Sequence, residues 1–366
     1  MSQQIVWGID RLQTLPPVAA GFKVMLVADS SFPYLSIRRR IEESLGPHVG
    51  FDAFGSNPLY EDVCKGVELF VKEGCAAIVA VGGGSSIDVA KCIKLFCRLA
   101  PGTDYLKAEW GDSRVPLIAI PTTAGTGSES TRYAVIYRDG AKQSVAHSSI
   151  VHDYALLEPA ALSTLPLYQK KCTLLDALCQ GIESWWSVNS TAESIGHSSY
   201  AVETIMANMD RYLSSDDADA ARAIMDAANR AGQAINITQT TAPHAFSYKL
   251  TSLYLLPHGH AVALCLPPIW RYMLANGSRC SDPRGWEHLQ RVFESISHAM
   301  QCDSALDAVS LFQSLLSKLG MQRPHTDTPE RDLTLLSQTV NPVRLKNSPV
   351  AIDQTAAYAI YKTILL

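Results

Sequence analysis

The sequence predicts a two-part chain, an α/β half built on a parallel sheet followed by a half made only of helices. Three observations carry this. Over residues 1–160, short apolar runs that stop at glycine, proline or aspartate alternate with helical stretches. From Tyr168 onward helical periods replace the β-branched runs, and no low-complexity linker intervenes. A chain of 366 residues with 47% hydrophobic and 18% charged residues is long enough to bury two ordinary cores. The expected division is 1–160 and 161–366.

The elements follow in order. Residues 23–28 read as a strand that ends at Asp29, and 35–45 as a helix. Residues 76–81 form a continuous apolar run bounded by glycines, the pattern of a strand buried on both faces. A helix follows over 87–96. Residues 115–120 read as another strand, stopped by Pro121. Residues 210–233, rich in Ala, Asp and Arg, have good helix composition.

Bulk properties exclude several classes. A formal net charge of −4 gives no footprint for nucleic acid. The densest basic cluster, Arg38-Arg39-Arg40, runs into Glu42 and Glu43 and reads as a solvated helix face. No apolar stretch reaches the ~18 residues of a membrane span, and the first residues lack the pattern of a signal peptide. The 9 cysteines form no C-x-x-C pair and sit mostly in apolar company. Reduced thiols in a cytoplasmic protein are the economical reading.

Gly82-Gly83-Gly84-Ser85-Ser86 lies between the buried strand and a helix. Glycines there let a backbone approach a phosphate, and the helix start supplies free N–H donors. The pattern matches neither the six-residue dinucleotide fingerprint nor a P-loop, and an ordinary tight turn has the same look. A second loop from Pro121 to Glu129, dense in hydroxyls and glycines, also follows a strand. Two such loops at successive strand ends converge on one crevice, as in a Rossmann-like dinucleotide-binding sheet. Asp29, at an earlier strand end, suits an adenosine ribose and would repel a 2′-phosphate, which favours NAD(H) over NADP(H); a turn or cap aspartate is the plain alternative.

Asp176, His244 and His258 are metal-ligand candidates. One carboxylate and two imidazoles make an open site for a divalent cation with a position left for substrate. Each alone is more often structural. An aspartate inside the apolar helical stretch around Leu174 and Leu175 still needs a partner, because an unpaired buried carboxylate is costly.

The string from Gly82 to Lys91, the loop Pro121–Glu129, the segment from Asp176 to Glu183 and Pro257-His258-Gly259 resemble, in that order, the motifs of the iron-containing (group III) alcohol dehydrogenase family. The resemblance covers essentially the whole chain. It implies a dehydroquinate synthase-like architecture, with an N-terminal NAD(P)-binding domain, an all-helical C-terminal domain, and a cleft holding cofactor and metal. It implies Asp176, His244 and His258 as metal ligands. It also implies Gly83, Gly84, Ser85, Asp88, Thr122, Thr123 and Thr126 around the cofactor, Lys142 near the nicotinamide ribose, and a homo-oligomer, a dimer or larger. Segments around Asp176–Ser190, His244–Tyr254 and Asn341–Pro349 are further similar to the phosphonoacetaldehyde reductases, which make 2-hydroxyethylphosphonate in phosphonate natural-product biosynthesis.

Two positions depart from the family pattern. The common fourth ligand, a histidine one turn after the aspartate, is Gln180 here, at most a weak ligand. Three protein ligands suit Zn²⁺ with one open position and weaken the expectation of iron that the family name carries. Tyr248 stands where many relatives carry another histidine, a candidate proton relay.

The expected chemistry is NAD(P)H-linked reduction of a small aldehyde to a primary alcohol. An anionic substrate such as phosphonoacetaldehyde needs cations nearby. Lys249 is the first candidate, Arg344 and Lys346 come next, and Ser247 and Thr251 offer hydroxyls. His260 is a proton-donor candidate by proximity alone, and Trp185 and Trp186 read as core. Competing readings are a reductase of neutral aldehydes or diols, a dehydroquinate-synthase-like cyclase that returns its NAD unchanged, and a relative that only binds nucleotide.

Overall fold

The computed structural model describes residues 3–366. They divide into two compact units. The first takes the chain up to Pro166 together with Asp216–Gly232, and the second takes Leu167–Ser215 and Gln233–Leu366. Relative to a single cut at residue 160, the first unit gains a stretch of helix from later in the chain.

The first unit holds a six-stranded sheet in the order β1-β8-β5-β4-β2-β3, and every pairing is parallel. Its strands are β1 (Gln4–Trp7), β2 (Val24–Ala28), β3 (Val49–Phe51), β4 (Ala77–Gly82), β5 (Leu117–Pro121) and β8 (Tyr154–Leu157). Helices α1 (Pro16–Ala19), α2 (Arg38–Leu45), α3 (Tyr60–Lys72) and α4 (Gly84–Phe96) connect them. A hairpin of β6 (Tyr133–Arg138) and β7 (Ala141–Ala146) forms a separate two-stranded sheet.

The apolar runs of the central strands have a direct cause. In β4, Ile78 and Ala80 join one core cluster with α3 and α4 side chains, while Ala77, Val79 and Val81 join another with Ile37 and Ile41. Alternate residues face opposite layers, so both sets must be apolar.

The strand order reverses between β2 and β4. The chain steps outward from β2 to β3, then returns to the other side of β2 with β4 and continues to β5. A crevice at the carboxyl ends of strands on either side of such a reversal is where open α/β sheets bind ligands. Asp29 follows β2, the glycine loop ends β4, and the hydroxyl loop follows β5.

The second unit is helical: α5 (Leu167–Trp186), α6 (Ala192–Ser214), the end of α7 (Ala218–Thr238), α8 (Ala242–Tyr254), α9 (His258–Ala275), α10 (Trp286–Ala299), α11 (Ala305–Leu319), α12 (Pro329–Gln338), α13 (Pro342–Leu345) and α14 (Gln354–Leu365). Trp186 packs edge-on against Trp270 at 5.4 Å between ring centroids, so this tryptophan is core. The helix expected over 210–233 is broken. α6 ends at Ser214, Ser215 is extended, and the Asp217 carboxylate accepts the Ala220 N–H at 2.9 Å. The sequence Ser214-Ser215-Asp216-Asp217 is a stop followed by a new cap, and it overrides the good composition on either side. No helix among the described residues is long and apolar enough to cross a membrane.

Candidate metal centre and nucleotide crevice

Asp176 sits in the middle of α5 and is 3% exposed. His244 lies in the first turn of α8, after Thr241 and Pro243, and His258 opens α9. These three residues, 82 positions apart in sequence at the extremes (176 to 258), offer ligand atoms that all lie within 4.8 Å of one another. The His244 Nε2 to Asp176 Oδ1 distance is 3.4 Å, and His258 Nε2 stands 4.0 Å from the same oxygen. Neighbouring ligands of a tetrahedral cation with bonds of ~2.0–2.1 Å stand roughly 3.4 Å apart. The His244–Asp176 pair stands at that spacing and His258 lies within 4.8 Å of both, and two imidazole nitrogens with one carboxylate oxygen are a donor set that suits a divalent metal.

Two features of the packing set this geometry. A Cβ at Gly259 would stand 2.0 Å from the Cys172 carbonyl oxygen and 2.9 Å from Asp176 Cβ, so the start of α9 lies directly on α5. Behind His244, the buried carboxylate of Glu183 meets Nδ1 at 2.5 Å and accepts the Thr241 N–H and hydroxyl at 2.7 and 2.9 Å. Burial opposes charge on His244, but Glu183 and then Asp176 outweigh it and raise the imidazole to about 10. Glu183 is a functional candidate that the structure adds. Its signal was available in the i, i+4, i+7 spacing of Asp176, Gln180 and Glu183, which lines one face of α5.

His258 is the accessible member, with its side chain 37% exposed against 5% and 4% for His244 and Asp176. The Tyr248 ring stacks on it at 6.1 Å and 18°. Gln180 is buried one turn after Asp176 and offers only a neutral amide.

Among the residues expected to meet substrate, His260 is corrected. Its Nε2 faces the Gln322 carbonyl at 3.0 Å and must donate, and its Nδ1 meets the Tyr168 hydroxyl at 2.8 Å. Both nitrogens are committed, and burial lowers its pKa, so it is a structural neutral histidine. Ser247 is buried and donates to the His244 carbonyl at 2.9 Å within its own helix, which removes it as a substrate contact. Thr251 lies on the His244 face, and its buried hydroxyl has no hydrogen-bond partner among the described residues. Lys249 is half-buried, five residues after His244 and so about 140° around α8 from it. Arg344 donates to Gln239 Oε1 at 2.5 Å from α13, which packs against α8. Lys346 is exposed.

In the first unit the structure brings the glycine loop, the hydroxyl loop and Asp29 together. Gly82 has φ 148°, and a Cβ there would overlap the Ser86 hydroxyl at 2.3 Å and approach Asp29 at 3.2 Å. A Cβ at Gly83 would meet Thr123 at 3.4 Å and one at Gly84 would meet Thr126 at 3.1 Å. The Thr122 N–H binds the Gly82 carbonyl at 3.0 Å. Asp29 accepts from the Ser31 N–H at 2.8 Å and the Ser86 hydroxyl at 2.9 Å, which ties the end of β2 to the start of α4. Ser85 donates to the Ser56 carbonyl at 2.6 Å. A backbone loop of this kind at the N-terminus of a 13-residue helix fits a dinucleotide's phosphates.

Asp88 has a different place from the one the family pattern suggested. Its two oxygens accept from the Ser128 hydroxyl at 2.6 Å and the Val135 N–H at 2.8 Å, so it supports the hydroxyl loop from behind. Lys91 does the same from full burial, donating to the Ser128 and Tyr133 carbonyls and to the Ser128 and Thr131 hydroxyls. Burial lowers this ammonium to about 8 against the pull of Asp88 and Glu129. Burial raises the Asp88 carboxyl, and Lys142, exposed on β7, is among the groups near enough to oppose that shift.

Comparison with known proteins agrees with this arrangement. The iron-containing alcohol dehydrogenase model matches residues 2–159, and the C-terminal model of the Fe-containing alcohol dehydrogenase family matches 171–365. A phosphonoacetaldehyde reductase of Streptomyces viridochromogenes is 31% identical over 296 residues, 75% of this chain and 73% of that protein. An iron-containing alcohol dehydrogenase from Thermococcus thioreducens superposes with a TM-score of 0.89 at 22% identity, covering 99% of this chain and 98% of the other. The sulfoacetaldehyde reductase of Bifidobacterium kashiwanohense, solved with NAD+, gives 0.87 at 24% identity over 99% and 96%. The chain belongs to the iron-containing alcohol dehydrogenase family. It is an oxidoreductase of the aldehyde–alcohol couple, with a nicotinamide dinucleotide and a divalent metal.

Proposed function

We propose that this enzyme reduces a small anionic aldehyde to its primary alcohol with NADH, and that phosphonoacetaldehyde, giving 2-hydroxyethylphosphonate, is its substrate. The observation that carries the redox reading is the convergence of Asp176, His244 and His258 within 4.8 Å. Those three residues would hold the cation. When bound, the metal supplies Lewis acidity toward the carbonyl oxygen and the reduced nicotinamide supplies the hydride.

The chain's own residues do the rest. Asp176 and His244 are buried and fix the inner side of the centre, and the exposed edge of His258 leaves a way in for substrate. Glu183 holds a proton at Nδ1 of His244. The Tyr248 ring covers one face of His258 and limits water there. Asp29 beside the glycine loop supports NADH over NADPH, because a 2′-phosphate would meet a carboxylate.

The anionic substrate rests on the likeness to the phosphonoacetaldehyde reductase, with Lys249 on α8 and Arg344 on α13 as the cations to test. The test is NADH and NADPH oxidation with phosphonoacetaldehyde, propanal and glyceraldehyde, on protein reconstituted with Zn²⁺ or Fe²⁺. Faster NADH turnover of the phosphonate is expected. Lys249→Ala and Arg344→Ala should raise KM for the phosphonate far more than for propanal. Equal effects on both aldehydes remove the anion site, and preferred turnover of propanal or glyceraldehyde makes the enzyme a reductase of neutral aldehydes.

A further inference from the structure

We infer that Glu183 is the positioning residue that decides which nitrogen of His244 faces the metal; this rests on the metal reading of Asp176, His244 and His258. Glu183 is fully buried, and each oxygen of its carboxylate is committed. Oε2 accepts from the Thr241 N–H at 2.7 Å, and a backbone N–H can only donate. The Thr241 hydroxyl is also directed at Oε2, at 2.9 Å, because its own oxygen receives the Trp186 indole N–H at 2.9 Å. Oε1 is left for Nδ1 of His244 at 2.5 Å, and an ionised carboxylate there accepts the Nδ1 proton. The imidazole is held as the Nδ1–H form. Nε2, on the side of Asp176 and 3.4 Å from it, is thereby the nitrogen left to take the cation once its own proton is displaced.

The contacts form one chain: Trp186 to Thr241, Thr241 to Glu183, and Glu183 to His244. Every link has a donor and an acceptor that cannot be exchanged without leaving a buried group unpaired. Trp186 is locked in turn by its edge-on packing with Trp270 and Phe293. The orientation of the ligand ring is therefore fixed from the hydrophobic core outward. Partners of this kind orient metal-bound histidines and raise their basicity.

Glu183→Gln tests the inference with almost no change in shape. The amide oxygen is required by the Thr241 N–H, so the NH₂ group turns toward His244 and donates to Nδ1. The imidazole then carries its proton on Nε2, the atom that should bind the cation. The measurement is Zn²⁺ affinity by competition with a chromophoric chelator, alongside the visible absorption of Co²⁺-loaded protein and the thermal midpoint of the metal-free form. The expected result is Zn²⁺ affinity about ten- to a hundred-fold weaker with a changed Co²⁺ band, at a metal-free midpoint close to wild type. A folded variant with wild-type affinity and band overturns the inference.

If the variant does not fold, the ¹⁵N spectrum of the Zn²⁺-loaded wild type decides. A protonated Nδ1 on His244 supports the inference, and metal on Nδ1 with a proton on Nε2 overturns it. A wild-type protein that takes up neither Zn²⁺ nor Co²⁺ overturns the metal reading and this inference together. Wild-type uptake with Glu183→Gln unchanged overturns this inference alone.

Discussion

Gly259 lies against the carbonyl oxygen of Cys172, where a Cβ would stand 2.0 Å away. The contact is backbone on both sides, so no side-chain rotation relieves it. It sets the first turn of α9 on α5 one turn before Asp176, and it is the reason His258 reaches that carboxylate. Gly259→Ala is expected to push the α9 start outward, cost on the order of 1–3 kcal/mol as an overpacked site, and weaken metal binding. Denaturation midpoints and Zn²⁺ titration check this; a variant with wild-type stability and affinity would show that the close approach is unimportant.

Metal uptake should depend on pH in a direction fixed by His244. Its folded-state pKa is raised from 6.5 to about 10. In the metal-free protein its stabilising contribution is fully present below pH 6.5 and fades as pH rises through about 10. A cation at Nε2 must displace that proton, so affinity should tighten by about tenfold per pH unit across this window, with one proton released from this histidine. Calorimetry of Zn²⁺ binding in buffers of different ionisation enthalpy counts the proton. A pH-independent affinity would contradict the placement of His244 among the ligands.

The site and the fold were unequally legible in the sequence. The central strands were readable because burial on two faces demands unbroken apolar runs, as in residues 77–82. Asp176 stood out as a ligand candidate because a carboxylate in an apolar helix needs a reason, and His244 and His258 joined it through the resemblance. Glu183 was readable only in part: the spacing puts it on the Asp176 face of α5, but its role depends on Thr241 arriving from a distant segment. His260 looked like His258 by adjacency, yet its ring is committed to Tyr168 and Gln322, neither of them a sequence neighbour. The β6–β7 hairpin escaped because β7 is mostly polar and exposed, although Ala134, Ile136 and Val145 are buried in the core and the hairpin carries Lys142 and Tyr133. Asp88 was recognised by motif, but only its partners Ser128 and Val135 show that it supports the loop.

Lys91 should matter for stability through that same loop. It is fully buried, and its ammonium serves four oxygens of Ser128, Thr131 and Tyr133. Lys91→Met leaves those acceptors and the Asp88 carboxylate without their cation. The expected loss is about 3–5 kcal/mol, the range for breaking a buried charged pair, with weaker NADH binding because Ser128 loses its anchor. Guanidinium unfolding and NADH fluorescence titration read the two effects. Stability within error of wild type would mean that the cluster rearranges at little cost.

The most direct test of the account is the metal content of wild type and His258→Ala after dialysis against a weak chelator. His258 is the ligand candidate least involved in the core, with its side chain 37% exposed, so the variant should fold. One equivalent of divalent metal per wild-type chain and nearly complete loss in the variant are expected, at unchanged thermal stability of the metal-free proteins. Equal metal retention in both would contradict a centre built on Asp176, His244 and His258.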